Sequence, residues 1–152
     1  MNCLLFDLDN TLLEWPQDLT RIKPRAELLE FLRELDVPTA IVTAGTRRNQ
    51  LRKYRAAGLD EVIPPQNLFF CPVGRAKTQP ILAALKRLGF SSRETLFVGD
   101  DPEYDIRSAH QAGCRTAWLS CGRSFPPGYP EPTFTLNNLF ELGALLGERF
   151  EL

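Results

Sequence analysis

Along most of the chain, short apolar runs alternate with longer segments whose apolar residues recur every three or four positions. Cys3–Phe6 is a continuous apolar run ending at Asp7, and such a run reads as a strand buried on both faces. Residues 24–36 follow as a helix, with Pro24 in the first turn and Leu28, Leu29, Leu32 and Leu35 at helical spacing. Ala40–Val42 is the second buried run and stops at Thr43, and residues 46–57 form a strongly basic helix closed by Gly58. Glu61–Ile63 reads as a short strand and Leu68–Cys71 as another extended piece. A third helix covers 78–88, with Ile81, Leu82, Leu85 and Leu88 on one side and Gly89 ending it. Ser91 and Glu94 have the spacing of a capping box, with room for one turn. Thr95–Val98 is the next apolar strand and runs into Gly99-Asp100. Asp101-Pro102 pairs an N-cap with a first-turn proline and opens a helix to about Ala112, which Gly113 ends. Arg115–Leu119 is a strand, and residues 120–132, with four prolines and two glycines, are a loop. A strand at 133–136 and a helix from Asn138 to about Leu146 complete the pattern.

Strands that are apolar throughout, separated by amphipathic helices, predict a parallel sheet covered on both faces, a three-layer Rossmann-like α/β fold. Neither an internal repeat nor a linker divides the 152 residues, so a single domain over 1–152 is expected. The charge balance, 18 Lys and Arg against 19 Asp and Glu, gives no overall attraction to nucleic acid or to an anionic membrane. Four cysteines without a CxxC pair point to reduced thiols, and no apolar run reaches the length of a membrane span. Acidic Asp7 and Asp9 interrupt what would be the apolar part of a signal peptide, so a cytoplasmic location is expected.

In an open parallel sheet, ligands bind outside the carboxyl ends of the strands. Three apolar runs end in polar residues at that edge: LLF in Asp7-Leu8-Asp9, AIV in Thr43, and LFVG in Asp100-Asp101. Alternation sets Asp7 and Asp9 on one side, with Leu8 turned to the core. Three acids in one crevice repel one another unless a cation balances them, and hard oxygen ligands suit Mg²⁺.

These residues carry a resemblance. Asp7-Leu8-Asp9-Asn10-Thr11 resembles the DxDxT motif of the haloacid dehalogenase superfamily of phosphatases. Thr43 is similar to that family's second motif, Lys77 to its third, and Gly99-Asp100-Asp101-Pro102-Glu103-Tyr104-Asp105 to its fourth. The resemblance implies a phosphomonoester hydrolase in which Asp7 attacks phosphorus and becomes an aspartyl-phosphate, while Asp9 serves as general acid and then base. It further implies phosphate binding by Thr43, Ala44 and Lys77, and Mg²⁺ held by the Asp7 carboxylate, the Asp9 backbone carbonyl and Asp100. Asp9 is what separates this pattern from the family's dehalogenases, which have no leaving oxygen to protonate.

The chain departs from the family at Lys77-Thr78-Gln79-Pro80, where Lys-Pro-x-Pro is frequent, and Arg75 is an alternative cation. Asp105 either reaches the metal through water or braces its loop, and Asp101 reads as an N-cap. Helices and strands already fill the intervals from Thr11 to Thr43 and from Thr43 to Lys77, so no cap domain is expected. Residues 12–22, including Trp15, form only a small flap. Arg47, Arg48, Arg52, Lys53 and Arg55 read as a solvated basic face, with an anionic partner as the sharper alternative, and His110 as a surface residue. The expected partner is a phosphorylated metabolite or phosphoprotein, without nucleic acid or membrane. A receiver-like phospho-accepting domain and a silent binding module are the competing functions. Neither a Cys-x5-Arg phosphatase signature nor a GxSxG elbow is present.

Overall fold

In the computed structural model, which describes residues 1–150, the strands are β1 (Cys3–Phe6), β2 (Thr39–Ala44), β3 (Leu68–Cys71), β4 (Thr95–Gly99), β5 (Arg115–Leu119) and β6 (Phe134–Leu136). They make one sheet in the order β3-β2-β1-β4-β5-β6, and every pairing is parallel. The helices are α1 (Ala26–Leu35), α2 (Arg47–Ala56), α3 (Thr78–Leu88), α4 (Ser108–Gln111) and α5 (Glu141–Phe150). The chain builds outward from β1 through β2 to β3, then crosses back to lay β4 along the free side of β1. Strand order therefore reverses between β1 and β4, and a crevice opens at their carboxyl ends.

Both faces of the central strands are dry, which is why their sequences are apolar without alternation. Leu4, Phe6, Ile41, Leu96 and Val98 pack on one side with Leu28, Leu29 and Leu32 of α1, Tyr54 of α2 and Leu142 of α5. Cys3, Leu5, Ala40, Val42 and Phe97 pack on the other with Ile81, Ala84 and Leu85 of α3 and Ala109 of α4. The three-layer expectation holds. Among the described residues, short turns, α1, α2, β2 and β3 occupy the intervals from Thr11 to Lys77, and no separate cap is folded there.

Two local expectations are corrected. Glu61–Ile63 is not a strand: Leu59–Glu61 is a 3-10 turn, and the amides of Val62 and Ile63 both donate to the Leu59 carbonyl. The Tyr54 hydroxyl also donates to the Ile63 carbonyl, so that backbone is already satisfied locally and offers no edge for pairing. The helix after Asp101 is regular only at α4; its first part, Pro102–Arg107, is wound as a π-turn. The Asp101 carbonyl there receives the amides of both Asp105 and Ile106, at 3.0 and 3.1 Å. Such wide turns concentrate at functional sites because they re-aim one side chain without ending the helix.

Candidate active site

The reversal between β1 and β4 falls at Asp7 and Asp100, one residue beyond each strand. The Asp7 carboxylate is buried, accepts from the Thr11 hydroxyl at 3.2 Å, and is paired with the Lys77 ammonium at 2.6 Å. Lys77, from the loop entering α3, reaches Asp105 equally closely at 2.6 Å and is itself only 3% exposed. Lys77 is thus the cation paired with Asp7, while Arg75 lies exposed on the preceding loop.

The π-turn is what delivers Asp105. Its second oxygen accepts from the backbone amides of Asp100 and Asp101 at 3.1 and 3.0 Å, so it braces the loop that holds Asp100. Gly99 makes room for it, since a Cβ there would stand 2.6 Å from the Asp105 carboxyl carbon. Asp101 is the N-cap the sequence predicts, accepting from the amides of Glu103 and Tyr104 at 2.8 Å each. The Asp100 carbonyl is pinned by the Trp118 indole at 2.8 Å and by Arg123 at 3.1 Å.

One carboxylate oxygen from each of Asp7, Asp100 and Asp105 lies within 4.8 Å of the others. Burial pushes the Asp7 carboxyl well above the ordinary carboxylate range, and Asp105 raises it further against the pull of Lys77. Burial, then Asp105, pushes Asp100 up to about 6. For Lys77, burial works downward but is outweighed by Asp105 and Asp7, which hold it well above its usual value as an ammonium. Fully ionised, the three carboxylates would exceed the Lys77 ammonium by two negative charges. A divalent cation is the complement of that excess, and an all-oxygen donor set suits Mg²⁺. Both Asp105 oxygens are engaged by Lys77 and the two amides, and both Asp7 oxygens by Lys77 and the Thr11 hydroxyl.

Asp9 lies apart from this trio. Its half-buried carboxylate is clamped by residues of α2: Lys53 at 3.1 and 3.3 Å, and the Gln50 amide at 3.2 Å. The same Gln50 nitrogen donates to the Thr43 hydroxyl at 2.7 Å, and both Gln50 and Thr43 are buried. The sequence placed Lys53 only in the basic face, with an anionic partner as the alternative, and did not mark Gln50. The only available signal was that Gln50 and Lys53 lie three positions apart on the helix that opens just after Thr43. The rest of the basic face behaves as expected, with Arg47, Arg48, Arg52 and Arg55 exposed, and so is His110.

Two clefts open at this edge. One, about 460 Å³, is lined by Asp9, Ala44, Gly45, Asn49, Gln50 and Lys53, with Gln17 and Leu19 of the flap across it. The other, about 470 Å³, borders Asp100 and Thr11 and runs toward Leu119, Arg123 and Phe140. Trp15 stays half exposed in the flap with the Arg21 guanidinium 3.7 Å from its ring centre.

The sheet is Rossmann-like, with acids at its switch point, a buried lysine between two of them and a threonine at the end of the next strand. The chain belongs to the haloacid dehalogenase-like hydrolases: that family's model matches residues 14–113, a span that includes Thr43, Lys77, Asp100 and Asp105 and begins beyond Asp7-Leu8-Asp9. It is 29% identical over 136 residues to a phosphoglycolate phosphatase of Haemophilus influenzae strain 86-028NP, covering 85% of this chain and 59% of that protein. The chain thus spans less than two thirds of this curated relative. In structure it is similar to a HAD phosphatase from Thermococcus onnurineus, with a TM-score of 0.72 over 97% of this chain and 98% of the other at 21% identity. A HAD family hydrolase from Deinococcus radiodurans R1 with bound phosphate and sodium matches with a TM-score of 0.68 at 25% identity, over 84% of this chain and 59% of that one. Among the described residues, no helix is long and apolar enough to cross a membrane.

Proposed function

We propose that the protein is a Mg²⁺-dependent phosphomonoester hydrolase working through an aspartyl-phosphate on Asp7, with a small phosphorylated molecule as substrate. The observation that carries this is the Asp7 carboxylate, buried between Lys77 and Thr11 with Asp100 alongside. That is how a weak nucleophile is held still for in-line attack on phosphorus. Mg²⁺, bound by Asp7, Asp100 and the Asp9 carbonyl, would neutralise phosphate charge close to the anionic nucleophile. The phosphoglycolate phosphatase relative and the phosphate-bound neighbour support the coarser reading, a phosphoester hydrolase.

The side chains supply the rest. Lys77 balances charge on the nucleophile and on the transferring group, and Thr43 donates to a phosphoryl oxygen with the Ala44 backbone beside it. Asp9 lines the cleft of about 460 Å³, so the leaving group occupies that cleft. Asp9 gives its proton to the leaving oxygen and then takes one from the water that breaks the aspartyl-phosphate. A phospho-accepting switch needs no such acid, which favours the hydrolase over a receiver-like domain. The cleft is open to solvent and of metabolite size, which favours small phosphorylated molecules over phosphoproteins.

The test is turnover of an aryl phosphate with Mg²⁺. We expect activity that chelator abolishes, an Asp7→Asn protein that folds but gives no turnover or acid-stable phosphoenzyme, and an Asp9→Asn protein slowed in both half-reactions. Full activity in Asp7→Asn would reject the nucleophile assignment.

A further inference from the structure

Gln50 is bound on one amide nitrogen to two partners, and the chemistry of one partner fixes the role of the other. Both oxygens of the Asp9 carboxyl accept from the Lys53 ammonium, at 3.1 and 3.3 Å. The Gln50 group 3.2 Å from it must therefore be the NH₂ end, since a carbonyl there would face a carboxylate. The second hydrogen of that nitrogen goes to the Thr43 hydroxyl oxygen at 2.7 Å. Thr43 is thus held as an acceptor toward Gln50, and its single hydroxyl proton is left to be given elsewhere.

We infer that Gln50 is a positioning residue that makes Thr43 an obligate donor to the phosphoryl group and ties that donor to the Asp9 acid. The inference rests on the hydrolase reading above and deepens it. Gln50 itself does not touch the reacting atoms. It sits on the first turns of α2, only 2% exposed, with its side-chain amide laid over Gly45. A Cβ at Gly45 would meet that amide at 2.9 Å, and Gly45 has φ +137°, so a side chain is excluded there on both counts. A free threonine hydroxyl samples three rotamers and can turn its proton toward the side Gln50 occupies. One whose lone pair is already occupied does not, and it meets a phosphoryl oxygen pre-aimed, as a preorganised donor must.

The test compares Gln50→Met, which keeps the length and removes the polarity, with Gln50→Glu, which turns the donor into an anion that captures the Thr43 proton and repels Asp9. Binding of inorganic phosphate to the Mg²⁺-loaded protein is measured by titration calorimetry, and kcat/KM with an aryl phosphate. Folding is checked by thermal unfolding. We expect both quantities to fall about tenfold in Gln50→Met and roughly a hundredfold in Gln50→Glu. A residue that merely fills space would not give that order, because the methionine fills it as well. The decisive arm is Thr43→Val: once the hydroxyl is gone, adding Gln50→Met should weaken phosphate binding by less than about twofold. Should Gln50→Met lower phosphate affinity equally in both backgrounds, or in neither, the inference is overturned while the wild-type turnover still supports the hydrolase. Should the wild type show neither turnover nor phosphate binding with Mg²⁺, the hydrolase reading falls first and this one with it.

Discussion

Replacing Lys77 with methionine removes one charge from the most deeply buried ionic cluster of the fold. The ammonium lies 2.6 Å from both Asp7 and Asp105, and the three side chains are 4%, 7% and 1% exposed. Methionine has nearly the same shape, so packing loss is small and the cost is electrostatic. Removing one partner of a buried pair leaves an uncompensated charge and typically costs about 3–5 kcal/mol. Against a total stability of about 5–15 kcal/mol, that is roughly a fifth or more of the fold. For a chain of this size it corresponds to a fall in Tm of about 6–20 °C. The measurement is urea and thermal unfolding of Lys77→Met without Mg²⁺. The companion is Lys77→Met with Asp105→Asn, in which the asparagine oxygen still accepts from the Asp100 and Asp101 amides while one buried anion is gone. The double variant should be more stable than Lys77→Met alone by about 1–3 kcal/mol. A Lys77→Met protein within 1 kcal/mol of wild type (about the spread of an ordinary surface substitution) would refute the buried-charge argument, as would a double variant weaker than the single.

Asp100, which the proposed function makes a ligand of Mg²⁺, has its carboxyl raised to about 6 and holds a proton below that pH. Protons therefore compete with Mg²⁺ there, and affinity should fall about tenfold per pH unit below 6 while changing little above 7. Calorimetric titration at pH 7.5 and 5 checks this, and equal dissociation constants would contradict the assignment of Asp100 as a ligand. Burial pushes the Cys3 thiol up to about 11 and the Cys114 thiol up to about 12, raises Cys71 as well, and leaves Cys121 as the exposed cysteine. Alkylation at pH 8 followed by mass spectrometry should modify Cys121 alone in the native protein and all four after denaturation. Rapid native labelling of Cys3 or Cys114 would show that the sheet opens locally.

What the sequence by itself determined is what local periodicity and chain order control. The continuous apolar runs Cys3–Phe6, Ala40–Val42 and Thr95–Val98 mark strands buried on both faces, and α3 covers the 78–88 that apolar spacing predicts, with Gly89 ending it. Asp7, Thr43 and Asp100 follow such runs directly, so their meeting at one sheet edge was legible once the strands were read as parallel. The strand expected at Glu61–Ile63 failed because three β-compatible residues do not reveal that Leu59 and Tyr54 already satisfy their backbone.

What only the tertiary structure decided is which charges face each other. Lys77 meets Asp105 across α3 and the π-turn, and Lys53 and Gln50 meet Asp9 across forty-odd residues of chain. No periodicity encodes those pairs, because a lysine on a helix face looks the same in sequence whether it is solvated or clamped on an acid. The difference lies in the local dielectric and in distances of about 3 Å, and packing alone sets both.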